Sequence, residues 1–282
     1  MVTISLTTTR DRLYLLRFTL ISLMEQSFKA DKIVVWLSRD AYLRDRGLGD
    51  FNIQSWAESR LPYGYANNIE FRYCENIGPY RKLIPMLKTC SFDDVIVTAD
   101  DDIVYKKNWL KSLIEKFDES EGCVVACRVR RVSYNFLGFV KSYSFWPIVH
   151  NKSFLDEDFA ITFGAGAVVS PAFFSRSDVN DDSFLNLCPT ADDLWYTALL
   201  KNNNVGVEVV PETIDSLIFL SHDDGLVNDN LLPNKSGIHA VLYRFKISIL
   251  ARLGVPVCAN DIYYREIGKH FLSKGRSKGG CA

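Results

Sequence analysis

The amino-acid sequence predicts an α/β fold in which a central, mostly parallel β-sheet lies between layers of helices. Short runs such as Ile33–Leu37 and Val95–Val97 are apolar at successive positions, which is typical of strands covered on both faces. Segments with helical spacing separate these runs. The chain has 282 residues, 48% hydrophobic and 13% aromatic, which is enough for one large domain or two modest ones.

A strand-helix-strand unit is predicted at the N-terminus. Val2–Leu6 is its first strand and Ile33–Leu37 its second. A helix from about Asp11 to Gln26 connects them, because leucines recur there at helical spacing. These leucines are Leu13, Leu16, Leu20 and Leu23. Residues 38–68 are rich in charge and glycine, and we expect a loop with one short helix there.

A basic pair opens the next predicted helix. Phe71–Cys74 is a short candidate strand, and the helix extends over Gly78–Thr89 with a bend at Pro85. Arg81 and Lys82 lie in its first turn, where the helix dipole disfavours cations. We therefore expect them to reach towards a bound anion, with a solvated basic pair as the alternative.

The most informative segment is a buried strand that ends in three carboxylates. Val95–Val97 leads into Asp100, Asp101 and Asp102. Because residues of a strand alternate between faces, Asp100 and Asp102 are expected on one side, where Mg²⁺ or Mn²⁺ can bind them together with substrate phosphates. A solvated acidic turn is the alternative. The amphipathic helix that begins at Asn108 anchors the segment from the other side.

Arginines, aromatic residues and glycines occupy the middle of the chain. Val124–Val132 is predicted to be a strand. Its arginines are Arg128, Arg130 and Arg131. Trp146, in a polar and aromatic segment, is a candidate platform for a sugar ring, with a satellite hydrophobic cluster as the alternative. Gly164 and Gly166 form a turn into an apolar strand, where the backbone can approach a ligand closely.

A second acidic pair, Asp192 and Asp193, begins a helix that is expected to run to about Asn202 with Thr190 as its cap. A helix dipole stabilises carboxylates at this position, so simple capping is the alternative to a catalytic role. Strands are expected after this helix, and His222 follows the last of them. The final strands are Val205–Val210 and Leu217–Leu220.

The C-terminal part of the chain is basic. His239–Leu253 has the spacing of an amphipathic helix, and basic residues continue from Arg265 to Lys278. One interpretation is contact with an anionic membrane that carries a lipid-linked acceptor. The other is a helix docked on the core, followed by a solvated tail.

Composition excludes several classes of protein. The net charge is −1, so no global positive field attracts a nucleic acid. The seven cysteines are odd in number and dispersed, which favours free thiols in a reducing compartment. The sequence shows no signal peptide and no apolar run long enough for a membrane span. We expect a cytoplasmic protein, with peripheral contact at the inner face of the plasma membrane through the basic C-terminal region.

Residues 2–222 resemble glycosyltransferases of the GT-A fold, in particular the bacterial enzymes related to glycosyltransferase family 2. The resemblance rests on the order of an opening strand with a polar end, the Asp-x-Asp at Asp100–Asp102, the strand with Gly164–Gly166 and the acidic helix start at Asp192–Asp193. Two departures are present. Thr7-Thr8-Thr9-Arg10 stands where Pro-Thr-Tyr-Asn is common, and the acidic pair is Asp-Asp where Glu-Asp is usual.

The resemblance implies a GT-A-like three-layer α/β/α sandwich with a mixed, mostly parallel sheet and a C-terminal helical extension. It implies that the donor nucleotide-sugar is bound by Thr8, Arg10, Asp40, Arg81, Lys82, Asp100 and Asp101. Mn²⁺ or Mg²⁺ would be held by Asp102, Asp100 and His222. Asp193 would be the general base, with Asp192 as the alternative, and the substrate would contact Trp146, Gly164 and Gly166.

The implied activity is metal-dependent, inverting transfer of a sugar from a UDP-sugar to a glycan or lipid-linked oligosaccharide in the synthesis of bacterial surface polysaccharide such as O-antigen, capsule or lipopolysaccharide. The catalytic domain would span 1–222, with the donor half at 1–102, and 223–282 would form a flexible loop, an amphipathic helix and a basic tail. Two other classes stay open. A sugar-phosphate nucleotidyltransferase usually has a Gly-rich phosphate loop, and none follows Leu6. The second is a catalytically inactive carbohydrate-binding or scaffold protein.

Overall fold

The computed structural model describes residues 1–221 and 246–278. The strands in chain order are β1 (Val2–Thr7), β2 (Lys32–Leu37), β3 (Ile69–Tyr73), β4 (Val95–Thr98), β5 (Ile103–Tyr105), β6 (Val124–Ala126), β7 (Val129–Arg131), β8 (Ser153–Leu155), β9 (Phe159–Ile161), β10 (Ala167–Val169), β11 (Val207–Val209) and β12 (Leu217–Phe219). The α-helices are α1 (Leu13–Met24), α2 (Ile53–Arg60), α3 (Ile84–Thr89), α4 (Trp109–Glu119), α5 (Arg176–Val179), α6 (Phe184–Leu187), α7 (Asp192–Asn202) and, after a short helical stretch at 246–252, α8 (Ala259–Lys278).

The central sheet has eight strands in the order β3-β2-β1-β4-β10-β6-β11-β8. Its first four strands are parallel, β10 is antiparallel to both β4 and β6, and β8 is antiparallel to β11. Two small antiparallel sheets, β12-β5 and β7-β9, lie beside it. The predicted mixed, mostly parallel α/β/α architecture is therefore confirmed.

Successive residues of the central strands enter different apolar layers. Val34 and Trp36 pack with α3 and α7, whereas Ile33 and Val35 pack with α1 and α4. This alternation follows from the pleat of a strand whose two faces are both covered by helices. The sheet is thus the middle of three layers.

Three predicted elements differ in the structure. The helix expected over Gly78–Thr89 is a 3₁₀ turn (Gly78–Lys82) followed by α3, because Pro85 has no N–H and stands at the start of a new helix. The strand expected over Val124–Val132 is divided into β6 and β7, which join different sheets. The cap of α7 is Ala191, without a side-chain hydrogen bond, and not Thr190.

The C-terminal basic residues belong largely to a helix and not to a solvated tail. Helix α8 packs on α6 and α7, and Ile267 lies in the core with only 3% of its surface exposed. His270 and Lys274 both contact the carboxylate of Asp181. Of the amphipathic helix expected at His239–Leu253, residues 239–245 lie outside the described residues, and residues 246–252 are helical. Within 1–221 and 246–278, no helix has the length and apolar character needed to cross a membrane.

Candidate active site

A cleft of about 610 Å³ opens at the carboxyl ends of β1 and β4, the usual position of ligands in open α/β sheets. The start of α7, the 3₁₀ turn Gly78–Lys82 and the segments after β6 and β7 complete its walls. Its lining includes Thr8, Arg12, Asp45, Arg81, Lys82, Asp100, Asp101, Asp102, Arg128, Arg130, Tyr143, Asp192, Asp193 and Asn260. The two acidic motifs of the sequence therefore meet in one cavity.

The three consecutive aspartates lie in a turn between β4 and β5, beyond the end of the strand. The Nη2 atom of Arg12 lies 2.7 Å from Asp101 Oδ1 and also 2.7 Å from Asp102 Oδ2. Thr8 donates its hydroxyl to Asp101 Oδ2 at 2.6 Å. Burial raises the pKa of Asp101 to about 6, although Arg12 acts in the opposite direction. Asp101 is therefore the buried anchor of the turn.

Lys82 joins the acidic turn to helix α7. Its Nζ atom lies 2.6 Å from Asp100 Oδ1 and 3.1 Å from Asp192 Oδ2, and the side chain is almost fully buried. Burial opposes the charge of Lys82, but the nearby carboxylates hold its pKa well above the ordinary value. The lysine therefore stays a cation and couples residues that are far apart in the sequence.

Asp193 is a carboxylate whose environment disfavours its charge. Its Oδ1 atom accepts a hydrogen bond from the N–H of Phe163 at 3.0 Å. Burial raises the pKa of Asp193 to about 8, the charge of Asp192 adds to this effect, and Lys82 opposes it. Burial also raises the pKa of Asp192, whose largest opposing influence is Lys82. A group with a pKa near neutrality is suited to proton transfer.

A second buried ion pair lies at the other end of the cleft. Arg81 Nη2 is 2.7 Å from Asp45 Oδ2, and both side chains are at most 5% exposed. Asp45 also accepts from Asn76 and from the N–H of Gly47, so the pair is held by its loop. The Nη1 atom of Arg81 is buried without a hydrogen-bond partner among the described residues. The cleft thus contains a donor that a ligand could use.

Several predicted site residues lie elsewhere. Asp40 is exposed and does not line the cleft, where Asp45 is found instead. Arg10 lies over the ring of Phe51. Trp146 is only 2% exposed and donates its indole N–H to the carbonyl of Lys141, so it is a core residue and not a sugar platform. Tyr143 is the aromatic residue that lines the cleft.

The predicted glycines make room for protein side chains and not for a ligand. A Cβ atom on Gly164 would lie 1.6 Å from Asp100 Oδ2. Gly166 has a φ of +115°, and a Cβ there would lie 2.7 Å from the ring of Trp109. Each glycine therefore permits a close approach, in one case by the acidic turn itself.

Sequence reasoning missed Arg12, Asp45 and Asn260. Arg12 had a usable signal, because it stands just before α1, where the dipole disfavours a cation, as argued for Arg81. Asp45 lies in an irregular loop whose course no local pattern predicts. Asn260 comes from α8, far along the chain.

The acidic turn fits a divalent cation held by two carboxylates. Asp100 and Asp102 are the more exposed members of the turn, with 36% and 23% of their side chains accessible. Mg²⁺ commonly takes one or two carboxylates and completes its shell with water and phosphates. Within residues 1–221 and 246–274, no three or more His, Cys, Asp or Glu side chains are grouped so that they could hold a metal ion. His222, the third ligand in the prediction, lies outside the described residues.

Comparison with known proteins adds a family match. Residues 15–184, more than half of the chain, match the family described as Glycosyl transferase family 2, which confirms the resemblance predicted from the residues. No curated protein matches the chain.

Three solved structures show distant likeness. The crystal structure of S. aureus TarS 1-349 has a TM-score of 0.48 and 15% identity, over 99% of this chain and 73% of that one. The same TarS fragment in complex with UDP has a TM-score of 0.45 and 14% identity, over 75% of this chain and 58% of that one. The 4-diphosphocytidyl-2C-methyl-D-erythritol synthase from Anaerococcus prevotii DSM 20548 has a TM-score of 0.44 and 13% identity, over 74% of this chain and 88% of that one. Likenesses this distant identify no activity.

Proposed function

The chain belongs to glycosyl transferase family 2 and is a nucleotide-sugar glycosyltransferase, and from this premise we propose that it transfers a sugar from a UDP-sugar with inversion and with the help of Mn²⁺ or Mg²⁺. One observation carries the proposal. Lys82 contacts Asp100 of the acidic turn and Asp192 at the start of α7, so the two acidic elements that would hold the metal and the base line one cleft.

The nucleoside end of the donor is proposed to lie against the Asp45–Arg81 pair. The free Nη1 donor of Arg81 suits a carbonyl oxygen of uracil, and the carboxylate of Asp45 keeps the guanidinium oriented. Asp45 takes the place that the sequence assigned to Asp40. Thr8, beside the same wall, is committed to Asp101 and acts by positioning the acidic turn.

The diphosphate is proposed to lie at the acidic turn. Asp100 and Asp102 would hold the divalent cation, and this cation would neutralise the charge that develops on the departing diphosphate. Arg12 and Lys82 orient these carboxylates. His222, which follows β12 along the chain, is kept as a proposed third ligand.

The transfer step requires one base. The acceptor oxygen attacks the anomeric carbon, the bond from that carbon to the diphosphate oxygen breaks, and the hydroxyl proton passes to Asp193. Its raised pKa makes Asp193 a stronger base than an ordinary aspartate. Asp192 is less suited because it is buried and paired with Lys82.

The proposed acceptor is a glycan or lipid-linked oligosaccharide of a bacterial surface polysaccharide, reached from the cytoplasmic side of the membrane. Membrane contact through α8 is also a proposal. Lys269 is exposed but pairs with Glu266 on the same helix, whereas Lys274 serves to dock the helix on Asp181.

Calorimetric titration of UDP tests the proposal. We expect binding with Mn²⁺, loss of binding with EDTA, and at least about tenfold weaker binding in Asp102→Ala. Asp118→Asn, on the exposed side of α4, is the matched control and should bind as the wild type does. A screen of UDP-sugars for UDP release then identifies the donor. UDP affinity that neither EDTA nor Asp102→Ala changes would reject the metal assignment, and no UDP binding at all would reject the donor.

A further inference from the structure

Two arginines of the cleft have no carboxylate partner. Arg128 and Arg130 both line the cavity, yet neither forms an ion pair among the described residues. Arg130 donates to the carbonyl of Trp146 and lies 5.1 Å from the centroid of the Tyr143 ring. The Nε atom of Arg128 is buried and has no hydrogen-bond partner in the described part of the chain. Arg128 therefore keeps one unused hydrogen-bond donor, and neither guanidinium group of this part of the cavity is neutralised by an ion pair within the described residues.

The cations at the acidic turn and at the Asp45–Arg81 pair, by contrast, already have carboxylate partners. Arg81 binds Asp45, Lys82 binds Asp100 and Asp192, and Arg12 binds Asp101 and Asp102. Each of these three cations is therefore already engaged by a carboxylate of the protein. By contrast, burial lowers the pKa of Arg128 and the like charge of Arg130 lowers it further, although Tyr143 and Asp193 act in the opposite direction. Two neighbouring guanidinium groups of this kind are stabilised when an anion lies between them.

The arginines lie on the same side of the cleft as the proposed base. The N–H of Thr162 donates to the carbonyl of Arg128, and the next N–H, that of Phe163, donates to Asp193. Consecutive amides thus bring the backbone of Arg128 near the carboxylate of Asp193. The hydroxyl that is glycosylated must reach Asp193, so a group bound by Arg128 would be part of the acceptor.

Helix α8 supplies a third polar group to this wall. Asn260 is 92% buried within the fold, lines the cleft, and its Oδ1 atom has no hydrogen-bond partner among residues 1–221 and 246–274. Its neighbour Asp261 accepts from the backbone N–H of Tyr143, which ties the start of α8 to the segment that carries the Tyr143 ring. An amide at this position can accept from a sugar hydroxyl beside the anion.

We propose, resting on the proposed function, that Arg128 and Arg130 bind a phosphate or carboxylate group carried by the acceptor next to the hydroxyl that receives the sugar. The acceptor is accordingly an anionic glycan and not a neutral one. Asn260 is a specificity residue for a hydroxyl of the same acceptor. The diphosphate of the donor has the same chemistry, so the experiment must distinguish the two sources.

The probe is glucose 6-phosphate, with glucose as its uncharged control, titrated calorimetrically into protein with and without saturating UDP and Mn²⁺. We expect the phosphate-bearing sugar to bind better than glucose in both conditions. Arg128→Gln and Arg130→Gln should each weaken its binding by at least about tenfold and change UDP affinity by less than about threefold. Arg131→Gln is the matched control, because Arg131 is exposed on the same strand β7 and does not line the cleft.

Three results would overturn the inference. Glucose 6-phosphate could bind no better than glucose, or it could bind both glutamine variants as tightly as the wild type. UDP affinity could fall in parallel with that for the probe, which would assign the arginines to the donor. Circular dichroism checks folding, and Arg128→Lys, which keeps the charge but loses the planar fork, should show an intermediate loss. Absence of UDP binding in the wild type would contradict the proposed function alone, because the probe is also titrated without UDP.

Discussion

Asp193→Asn removes the proposed base while it keeps the size of the side chain, and the pH dependence of the reaction shows whether this base is used. With a pKa of about 8, Asp193 is about one tenth ionised at pH 7 and about one hundredth at pH 6. Only the ionised form can accept a proton. We therefore expect kcat/KM to rise about tenfold per pH unit from pH 6 to 7 and to level off above about pH 8.

The assay is release of UDP from the best donor of a UDP-sugar panel, with water as acceptor. Asp193→Asn should lose about a hundredfold or more in kcat and keep its affinity for UDP. Asp192→Asn removes the like charge and leaves Lys82 paired with Asp100 alone, so the pKa of Asp193 should fall and the ascending limb should move to lower pH. A flat profile from pH 6 to 9 in the wild type, or the same ascending limb in Asp193→Asn, would refute the assignment.

Three further predictions concern stability and binding. Because the folded state raises the pKa of Asp193, ionisation of this residue destabilises the fold as pH rises towards and through about 8. Asp193→Asn should therefore melt at a higher temperature than the wild type at pH 9 and at a similar temperature near pH 4. Arg12→Gln leaves Asp101 buried without its cation and should lower the free energy of unfolding by about 2 to 3 kcal/mol in urea titrations. Arg46 is the control, because its 3.9 Å contact with Asp11 is exposed, and Arg46→Gln should change the free energy of unfolding by less than about 0.5 kcal/mol. Gly164→Ala places a methyl group against Asp100 and should weaken metal-dependent UDP binding by about tenfold or more. Gly268→Ala is the control and should have no effect, because no atom lies near its Cβ. Equal UDP affinities in the two alanine variants would contradict this role of Gly164.

The layered sheet could be predicted because its signal is local. An apolar run such as Ile33–Leu37 can only be a strand covered on both faces, and its residues do divide between two apolar layers. The division of Val124–Val132 into β6 and β7 had no such signal, because the apolar pattern continues across Arg128. What separates the strands is tertiary, since Cys127 donates to Gly166 and Arg128 accepts from Thr162.

The candidate site could be predicted by residue type but not by pairing. Asp100, Asp102 and Asp193 all line the cleft, as expected from their positions after a buried strand and at a helix start. That Lys82 links two of the acidic elements depends on contacts across 18 and 110 positions of the chain, which no window of sequence contains. Asp40 was expected in the site because it comes shortly after β2, but the first carboxylate of this loop that lines the cleft is Asp45.

The internal pairing of the cleft has a consequence for how a donor can bind. Asp101 and Asp102 share Arg12, while Asp100 and Asp192 share Lys82, so both of these cations are already engaged and the four carboxylates outnumber them. A diphosphate that entered alone would have to draw Arg12 or Lys82 away and would leave a buried aspartate unpaired, which is costly. A diphosphate accompanied by a divalent cation adds little net charge, and the existing pairs can remain. Metal and nucleotide should therefore bind this wall together and each strengthen the other by the same factor, because binding linkage is reciprocal.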